Sequence, residues 1–523
     1  MNLKLLLETT AKQHAQKTAI VLGERRVSYA ELDESSNKVA NTLIKVGIKK
    51  GDRVAMILPN SPEFVSIYFG IIKAGCIAVP LDPRYKIAEL ASLFDNCQPV
   101  AIAAESPFLE PLIPALSRFD HIKHIIDLGS TYEGQFLTYR EIMATGLAQR
   151  VDVESTPDDI VTISYTGSNT NHPRGAMLSH QSLVTEAVIS GDGFQQTDKD
   201  VVMLYALPMF HNFGLTSVLL ASVNKGSTII IVPGTGISIG TLMEAIERER
   251  GTMLLGVPYI FALAVKLAKR EGIKNVLSSL RLCSSGGAPL PINTIRQFKK
   301  YYGFTIADIW GQTEAMSQVT CPPVDGTGRL GSVGKALPGW GIRIVDDNGN
   351  ELPPNQSGEI IARGPIMKGY YNNPPATAEV IRNGWLHTGD IGNIDEDGYL
   401  FITGRKKRMI ILKGQNIYPS DIEEVLLSHP KVAEARVMGI PDKLRGEIVR
   451  AAIKLKEGTT ATKEEIRHFC QEHMADYKLP KQIIFARKLP ETALSKTGKE
   501  SLKESLSNLS HLARSPHQRK IES

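Results

Sequence analysis

The chain has 523 residues, 42% of them hydrophobic and 22% charged. That is the balance of a folded protein with room for two or more domains, and it excludes a disordered chain, a fibre and a disulfide-stapled miniprotein. The net charge of +5 is unevenly placed: from Gly404 onward there are 24 Lys+Arg against 15 Asp+Glu, a net of +9, which leaves the preceding body at −4. Such a basic segment is either a solvated lysine-rich surface or a seat for a polyanion: a nucleotide, coenzyme phosphates, nucleic acid or a membrane surface.

No apolar run approaches the roughly 18–20 residues of a membrane helix. At the start, Glu8 cuts off Leu5-Leu6-Leu7 too early for a signal peptide. Val27-Ser28-Tyr29 reads as a strand leading into a helix over Ala30–Val46. Beyond the turn at Gly51-Asp52, Val54–Leu58 is a short buried strand, Phe64–Lys73 a helix and Cys76–Leu81 a strand again. The alternation recurs at Val201–Leu207, Ser227–Val232, Thr252–Val257 and Leu280–Ser284, and predicts parallel strands joined by crossover helices. Five cysteines (Cys76, Cys97, Cys283, Cys321 and Cys470) stand far apart without metal-ligand spacing, which reads as reduced thiols in a cytoplasmic enzyme. Past Gly326, Ile342–Asp346, Gly358–Arg363 and Tyr399–Thr403 read as short antiparallel strands between glycine-rich turns. Near Gly404 a compact α+β unit of about 110 residues begins. Ser420 is its candidate cap for a helix over Asp421–Ser428, followed by strands Val432–Ile440 and Val449–Leu455 and a helix over Lys463–His473.

Between Val161–Ser164, which reads as a strand, and Gly175 lies Tyr165-Thr166-Gly167-Ser168-Asn169-Thr170-Asn171-His172-Pro173-Arg174. Backbone N–H groups and hydroxyls in such a loop can wrap phosphate oxygens, and Arg174 can neutralise charge. The Gly-Lys-Ser/Thr ending of a Walker A loop is missing, and taken alone the run reads more readily as an ordinary polar turn. Five further runs follow in order: Trp310-Gly311-Gln312-Thr313-Glu314, Trp385-Leu386-His387-Thr388-Gly389-Asp390, Gly404-Arg405-Lys406-Lys407-Arg408, Lys413-Gly414-Gln415-Asn416-Ile417-Tyr418-Pro419 and Lys496-Thr497-Gly498-Lys499. Together the six resemble the signatures of the adenylate-forming superfamily: acyl-CoA synthetases, aryl-CoA ligases, luciferases and peptide-synthetase adenylation domains. The resemblance extends from about Leu5 to Lys503.

The resemblance implies an α/β fold in two lobes. A large N-terminal lobe, 1–403, has layered sheets and helices with a distorted barrel, and binds ATP and the acid. A small α+β lobe, 404–523, turns on a hinge at Lys407 and carries the catalytic lysine. The implied reaction activates a carboxylate with ATP to an acyl-adenylate and pyrophosphate, then transfers the acyl group to CoA with release of AMP. Its implied partners are a small carboxylic acid, ATP, Mg2+ and CoA, with no nucleic acid, and homodimers are common among such enzymes.

By the same resemblance, Thr166, Gly167, Ser168, Asn169, Thr170, Asn171 and Arg174 grip the β- and γ-phosphates. Gly287, Ala288 and Pro289 form the adenine-side loop, where small residues let a flat ring approach the backbone. Trp310, Gly311 and Gln312 lead to Thr313 at the α-phosphate and Glu314 on Mg2+, a hard cation suited to carboxylate and phosphate oxygens. Asp390 accepts from the ribose hydroxyls, with Arg405 as a second ribose contact. Lys413, Gly414 and Gln415 face the coenzyme. Lys499 is the catalytic lysine, with Lys496 as its near competitor. Leu207–Gly214 matches the segment that lines the acid site. Amino-acid-activating relatives carry Phe-Asp where this chain has Phe210-His211, so the acid expected here is not an amino acid. His211 either closes over the carboxylate or only packs.

The phosphate loop departs from the family run Thr-Ser-Gly-Thr-Thr-Gly-x-Pro-Lys-Gly. Ser168 and Asn171 stand at its early glycines, Gly167 at its Ser, Asn169 at a Thr and Arg174 at the Lys. Arg and Lys are not equivalent at a phosphate, so a different pyrophosphate grip and slow adenylation are expected. Two rivals follow: an acyl-AMP ligase that loads a carrier protein, and a degenerate nucleotide- or acyl-binding protein.

Overall fold

The computed structural model describes residues 2–129, 131–132, 134–166, 173–232, 238–271, 277–406, 409–442, 444–486 and 489. Of the expected site residues, Gly167, Ser168, Asn169, Thr170, Asn171, Lys407 and Lys499 lie outside them. The chain divides into two compact units: Met1–Lys407 with Lys413–Gln415, and Arg408–Leu412 with Asn416–Ser523.

Two seven-stranded sheets dominate the first unit. One runs in the order Ala307–Asp308, Leu282–Ser285, Met253–Gly256, Val201–Leu204, Thr228–Ile231, Thr18–Leu22 and Arg25–Ser28. All its pairings are parallel except the last, a hairpin. The other runs Leu137–Thr138, His124–Asp127, Ala101–Ala104, Arg53–Ile57, Ile77–Leu81, Ile160–Tyr165 and Gly175–Ser179, parallel up to its final antiparallel pair. Strands such as Ile77–Leu81, Ala101–Ala104 and Met253–Gly256 are buried along their whole length, as expected of parallel strands covered on both faces. The protein is therefore α/β, as the alternation predicts.

Leu5-Leu6-Leu7 belongs to a helix over Leu3–Gln13, capped by Asn2, whose side chain accepts from Leu5 N at 3.0 Å. Leu3, Leu6 and Leu7 are its buried face, while Leu5 points outward. Among the described residues no helix is long and apolar enough to cross a membrane. The strand expected over Val201–Leu207 stops at Leu204, because Ala206 turns into left-handed backbone with φ +54°. The strand in front of Trp310 is Ala307–Asp308.

A five-stranded antiparallel sheet follows: Gly341–Val345 pairs with Gly358–Arg363, which pairs with Trp385–Ile394, and the opposite side of Trp385–Ile394 carries Ile381–Arg382 at its start and Leu400–Arg405 at its end. Among the described pairings this sheet is open, with Leu400–Arg405 branching from Trp385–Ile394. The boundary expected between 403 and 404 falls inside Leu400–Arg405. Gly404 pairs with Ile391 and Arg405 with Asp390, so both residues belong to the large unit's sheet.

The second unit holds strands Gly446–Leu455 and Val432–Asp442, paired antiparallel, with Gln482–Phe485 parallel to Gly446–Leu455. Helices Pro419–Ser428 and Lys463–His473 accompany them. Ser420 is not the cap of the first helix. Tyr418 takes the N-cap position and Pro419 opens the helix, where its fixed φ fits and its missing N–H costs nothing.

Candidate active site

Four loops leave the carboxyl edge of adjacent parallel strands in the first sheet. They follow Val201–Leu204, Met253–Gly256, Leu282–Ser285 and Ala307–Asp308. That edge is where doubly wound sheets hold ligands. Gly286 N donates to Gly256 O at 3.1 Å and Ile309 N to Ser285 O at 2.8 Å, so neighbouring loops are bonded to one another at their roots. This places Gly287, Ala288 and Pro289 beside Trp310, Gly311 and Gln312.

Two glycines here have no room for a side chain. A Cβ on Gly311 would run into the carbonyl of Ser317, and one on Gly286 would meet Ile309 Cγ1 at 2.9 Å. Gly287 adopts φ +77°, a conformation open to glycine at little cost. Ser285 Oγ and Gln312 Nε2 are buried and have no hydrogen-bond partner among the described residues. Tight backbone beside orphaned donors fits a flat, polar ligand.

Trp310 and Asp390 are 80 positions apart, yet the indole Nε1 donates to Asp390 Oδ2 at 2.8 Å. Asp390 is 1% exposed. Its ladder register opposite Arg405 brings the guanidinium onto it: Nε pairs with Oδ1, and Nη2 reaches Oδ2 at 3.4 Å. Gly389, with φ +72°, lets the strand turn just ahead of Asp390, and Thr388 Oγ1 accepts from Asp390 N at 3.1 Å.

Thr313 and Glu314 sit in one 3-10 turn, Thr313–Ala315. The Thr313 carbonyl accepts from Asn212 Nδ2 at 3.2 Å, and Asn212 Oδ1 accepts from Ser164 Oγ at 2.7 Å. Asn212 thus ties the end of Ile160–Tyr165 in the second sheet to the Thr313 turn. Glu314 Oε1 accepts from the Tyr370 hydroxyl at 2.6 Å. Its other oxygen has no hydrogen-bond partner among the described residues. A half-exposed carboxylate with one oxygen held and the other open suits a hard divalent cation that also takes phosphate oxygens.

Thr166 and Arg174 flank the loop expected to grip phosphate. Thr166 N donates to Arg174 O at 3.0 Å, where the hairpin of Ile160–Tyr165 and Gly175–Ser179 begins. The Arg174 guanidinium lies 5.7 Å from the Tyr370 ring centre and 3.5 Å from the exposed Glu379 carboxylate.

His211 is half-buried, and burial pushes its imidazole below the ordinary value. Phe213 N donates to His211 Nδ1 at 3.3 Å, so the neutral ring carries its proton on Nε2. The next residues, Phe213–Leu220, form a π-helix, a geometry that concentrates at functional sites. Lys413 and Gly414 form the turn between Ile410–Leu412 and Gln415–Ile417, with φ +53° and +83°. Positive φ at both positions is the mark of a two-residue type I′ hairpin.

Asn212, Tyr370 and Asp308 were not expected from the sequence. Asp308 ends a strand at the ligand edge, and desolvation raises its carboxyl well above the ordinary range. An acid at the end of a short apolar run, two residues before the Trp310 motif, was the readable signal for it.

Two family models match the chain. The AMP-binding enzyme model covers residues 7–371, and the AMP-binding enzyme C-terminal domain model covers 421–496. Among curated proteins, a long-chain-fatty-acid–CoA ligase of Bacillus subtilis is 32% identical, over 98% of this chain and 95% of that protein. An indoleacetate–CoA ligase of Aromatoleum aromaticum is 33% identical, over 96% of this chain and 98% of its own length. Among solved structures, a double mutant of o-succinylbenzoate CoA synthetase from Bacillus subtilis, bound with a product analogue, superposes with a TM-score of 0.84. It is 30% identical and covers 95% of this chain and 98% of that one.

Proposed function

The chain belongs to the AMP-binding enzyme family and is an acid–thiol ligase of the acyl- and aryl-CoA kind; we propose that its acid is not an amino acid. The overall reaction joins carboxylate, ATP and CoA to give acyl-CoA, AMP and pyrophosphate. The observation that carries the reading is Asp390, held between Trp310 and Arg405, two residues from different motifs. Such a carboxylate is fixed in direction before a ligand arrives, and an ionised carboxylate accepts from two donors, as a ribose diol requires.

The acid enters beside His211, whose neutral Nε2–H can donate to a carboxylate oxygen. Asn212 fixes the Thr313 turn, which brings the Thr313 hydroxyl and the Glu314 carboxylate to the phosphates. The open oxygen of Glu314 would hold Mg2+, which would supply charge neutralisation at the triphosphate. Thr166 and Arg174 anchor the phosphate loop, with Gly167, Ser168, Asn169, Thr170 and Asn171 as its remaining members. Gly287, Ala288 and Pro289 flank the adenine. Lys499 supplies the positive charge at the α-phosphate, Lys407 is the hinge, and the Lys413-Gly414-Gln415 turn serves the coenzyme.

The altered loop supports a slow adenylation step. Its test is the variant carrying Gly167→Ser, Ser168→Gly, Asn169→Thr, Asn171→Gly and Arg174→Lys together. Faster turnover supports this reading, and unchanged kinetics with ATP refutes it. The function itself is tested by product analysis with a panel of acids, as set out at the end of the Discussion.

A further inference from the structure

We infer that Tyr370 is a positioning residue for Glu314, and that it couples the metal-binding carboxylate to the phosphate-loop cation Arg174. The inference rests on the reading of Glu314 as the magnesium ligand.

Three sets of contacts converge on this tyrosine. Its hydroxyl donates to Glu314 Oε1 at 2.6 Å. Its ring lies 5.7 Å from the Arg174 guanidinium carbon, within the range where an aromatic face attracts a cation. Its own N–H donates to Thr377 Oγ1 at 2.8 Å, and the backbone around it is fixed from both sides. Met367 N donates to Glu314 O at 2.9 Å, while Met177 N donates to Gly369 O at 2.9 Å and Tyr371 N to Gly175 O at 2.7 Å. Residues 367–371 therefore form a short bridge from the Glu314 turn to the strand that leaves the phosphate loop, and Tyr370 is the residue on that bridge that touches both functional side chains.

The chemistry follows from the donor inventory. An ionised glutamate only accepts, and without a donor its carboxylate rotates freely among hydrated poses. A phenol O–H on one oxygen fixes the plane and leaves the other oxygen to face a cation. Hydrogen bonds of this kind to metal ligands orient them and are commonly worth about 10- to 100-fold in metal affinity or activity. The ring explains the accommodation of arginine at 174. A planar guanidinium can lie over an aromatic face, which suits Arg better than the compact ammonium of Lys. A tyrosine that only packed would be equally served by phenylalanine, which has the same ring; Tyr370 is 3% exposed.

The experiment is calorimetric titration of the full chain with ATP, once with excess Mg2+ and once with EDTA. The proteins are the wild type, Tyr370→Phe, Glu314→Gln and the double variant. The readout is the factor by which Mg2+ tightens ATP binding, with the ligand-free melting temperature as the control for folding. The expected result is a loss of roughly tenfold in that factor for Tyr370→Phe at an unchanged melting temperature, a loss at least as large for Glu314→Gln, and no further loss in the double variant. A full Mg2+ factor in Tyr370→Phe, with Glu314→Gln impaired, overturns the inference and leaves the reading of Glu314 standing. Losses that multiply in the double variant also overturn it, because Tyr370 would then act apart from Glu314. A full factor in Glu314→Gln overturns the reading of Glu314 and the inference with it. Tyr370→His, which keeps a donor in a smaller ring, is the second variant: it is expected to retain more of the Mg2+ factor than Tyr370→Leu, and equal losses in the two contradict the role of the donor.

Discussion

Trp310 Nε1 donates to Asp390 Oδ2 at 2.8 Å, and the two residues come from different parts of the large unit. Trp310 follows the end of a parallel strand, whereas Asp390 lies within an antiparallel one. The bond joins the loop proposed to hold the phosphates to the carboxylate proposed to hold the ribose. Trp310→Phe keeps an aromatic ring, though a smaller one, and removes the donor, leaving Asp390 Oδ2 with the longer contact from Arg405. Hydrogen bonds to charged acceptors contribute about 1.5–3 kcal/mol. The KM for ATP should rise by about tenfold or more, while the KM for the acid changes little. Steady-state kinetics with ATP and acid varied separately checks this.

Gly311 has no space for a methyl group, since a Cβ would overlap the Ser317 carbonyl. The obstacle is backbone, which cannot swing aside as a flexible side chain could. Gly311→Ala must therefore displace the Thr313 turn. Misplacement of reacting groups by about 1 Å can cost on the order of 100-fold in rate. Pyrophosphate release should fall by about that much, while circular dichroism shows a folded protein.

The strands and helices were largely legible, and their failures have local causes. Gly358–Arg363 and Lys463–His473 have the bounds read from the sequence. In the second case Thr462 caps the helix by accepting from Glu465 N. The missed features depend on backbone geometry or distant contact. Left-handed Ala206 ends a strand inside an apolar run, and the π-helix over Phe213–Leu220 has the composition of an ordinary buried helix. Trp310, Asp390 and Arg405 were named from separate motifs, and the structure brings the three together. Their supports were not legible, because Asn212, Tyr370 and the partnership of Trp310 with Asp390 depend on which loops the two sheets bring together.

Glu186 illustrates a buried group that the motifs do not mark. It is fully buried on the helix His180–Gly193 and accepts from Gln318 N at 3.1 Å, Ser190 Oγ at 2.9 Å and Trp340 Nε1 at 3.0 Å. Burial pushes its carboxyl from 4.5 up to about 8, against the pull of those three donors. Between these values the folded protein holds a proton that the unfolded chain releases. Its contribution to stability is therefore full below about pH 4.5 and is lost as pH rises toward 8. The urea midpoint of the wild type should fall relative to that of Glu186→Gln over this interval. A difference between the two proteins that does not vary with pH would contradict the assignment.

His211 presents Nε2–H while Nδ1 accepts from Phe213 N. Burial keeps the ring neutral down to a lower pH than a free histidine. His211→Ala should lower kcat/KM for the acid and leave the KM for ATP unchanged. The wild-type profile should show no loss from this group through neutral pH, with a decline only on the acid side. A matching loss in the KM for ATP would place His211 outside the acid site.

The most direct test of the whole account is product analysis with ATP, Mg2+ and CoA across short, medium, long, alicyclic, aromatic and amino acids. The account predicts thioester, AMP and pyrophosphate in equal amounts with at least one acid that is not an amino acid. Pyrophosphate without thioester, products with amino acids alone, or neither product with any acid would contradict it.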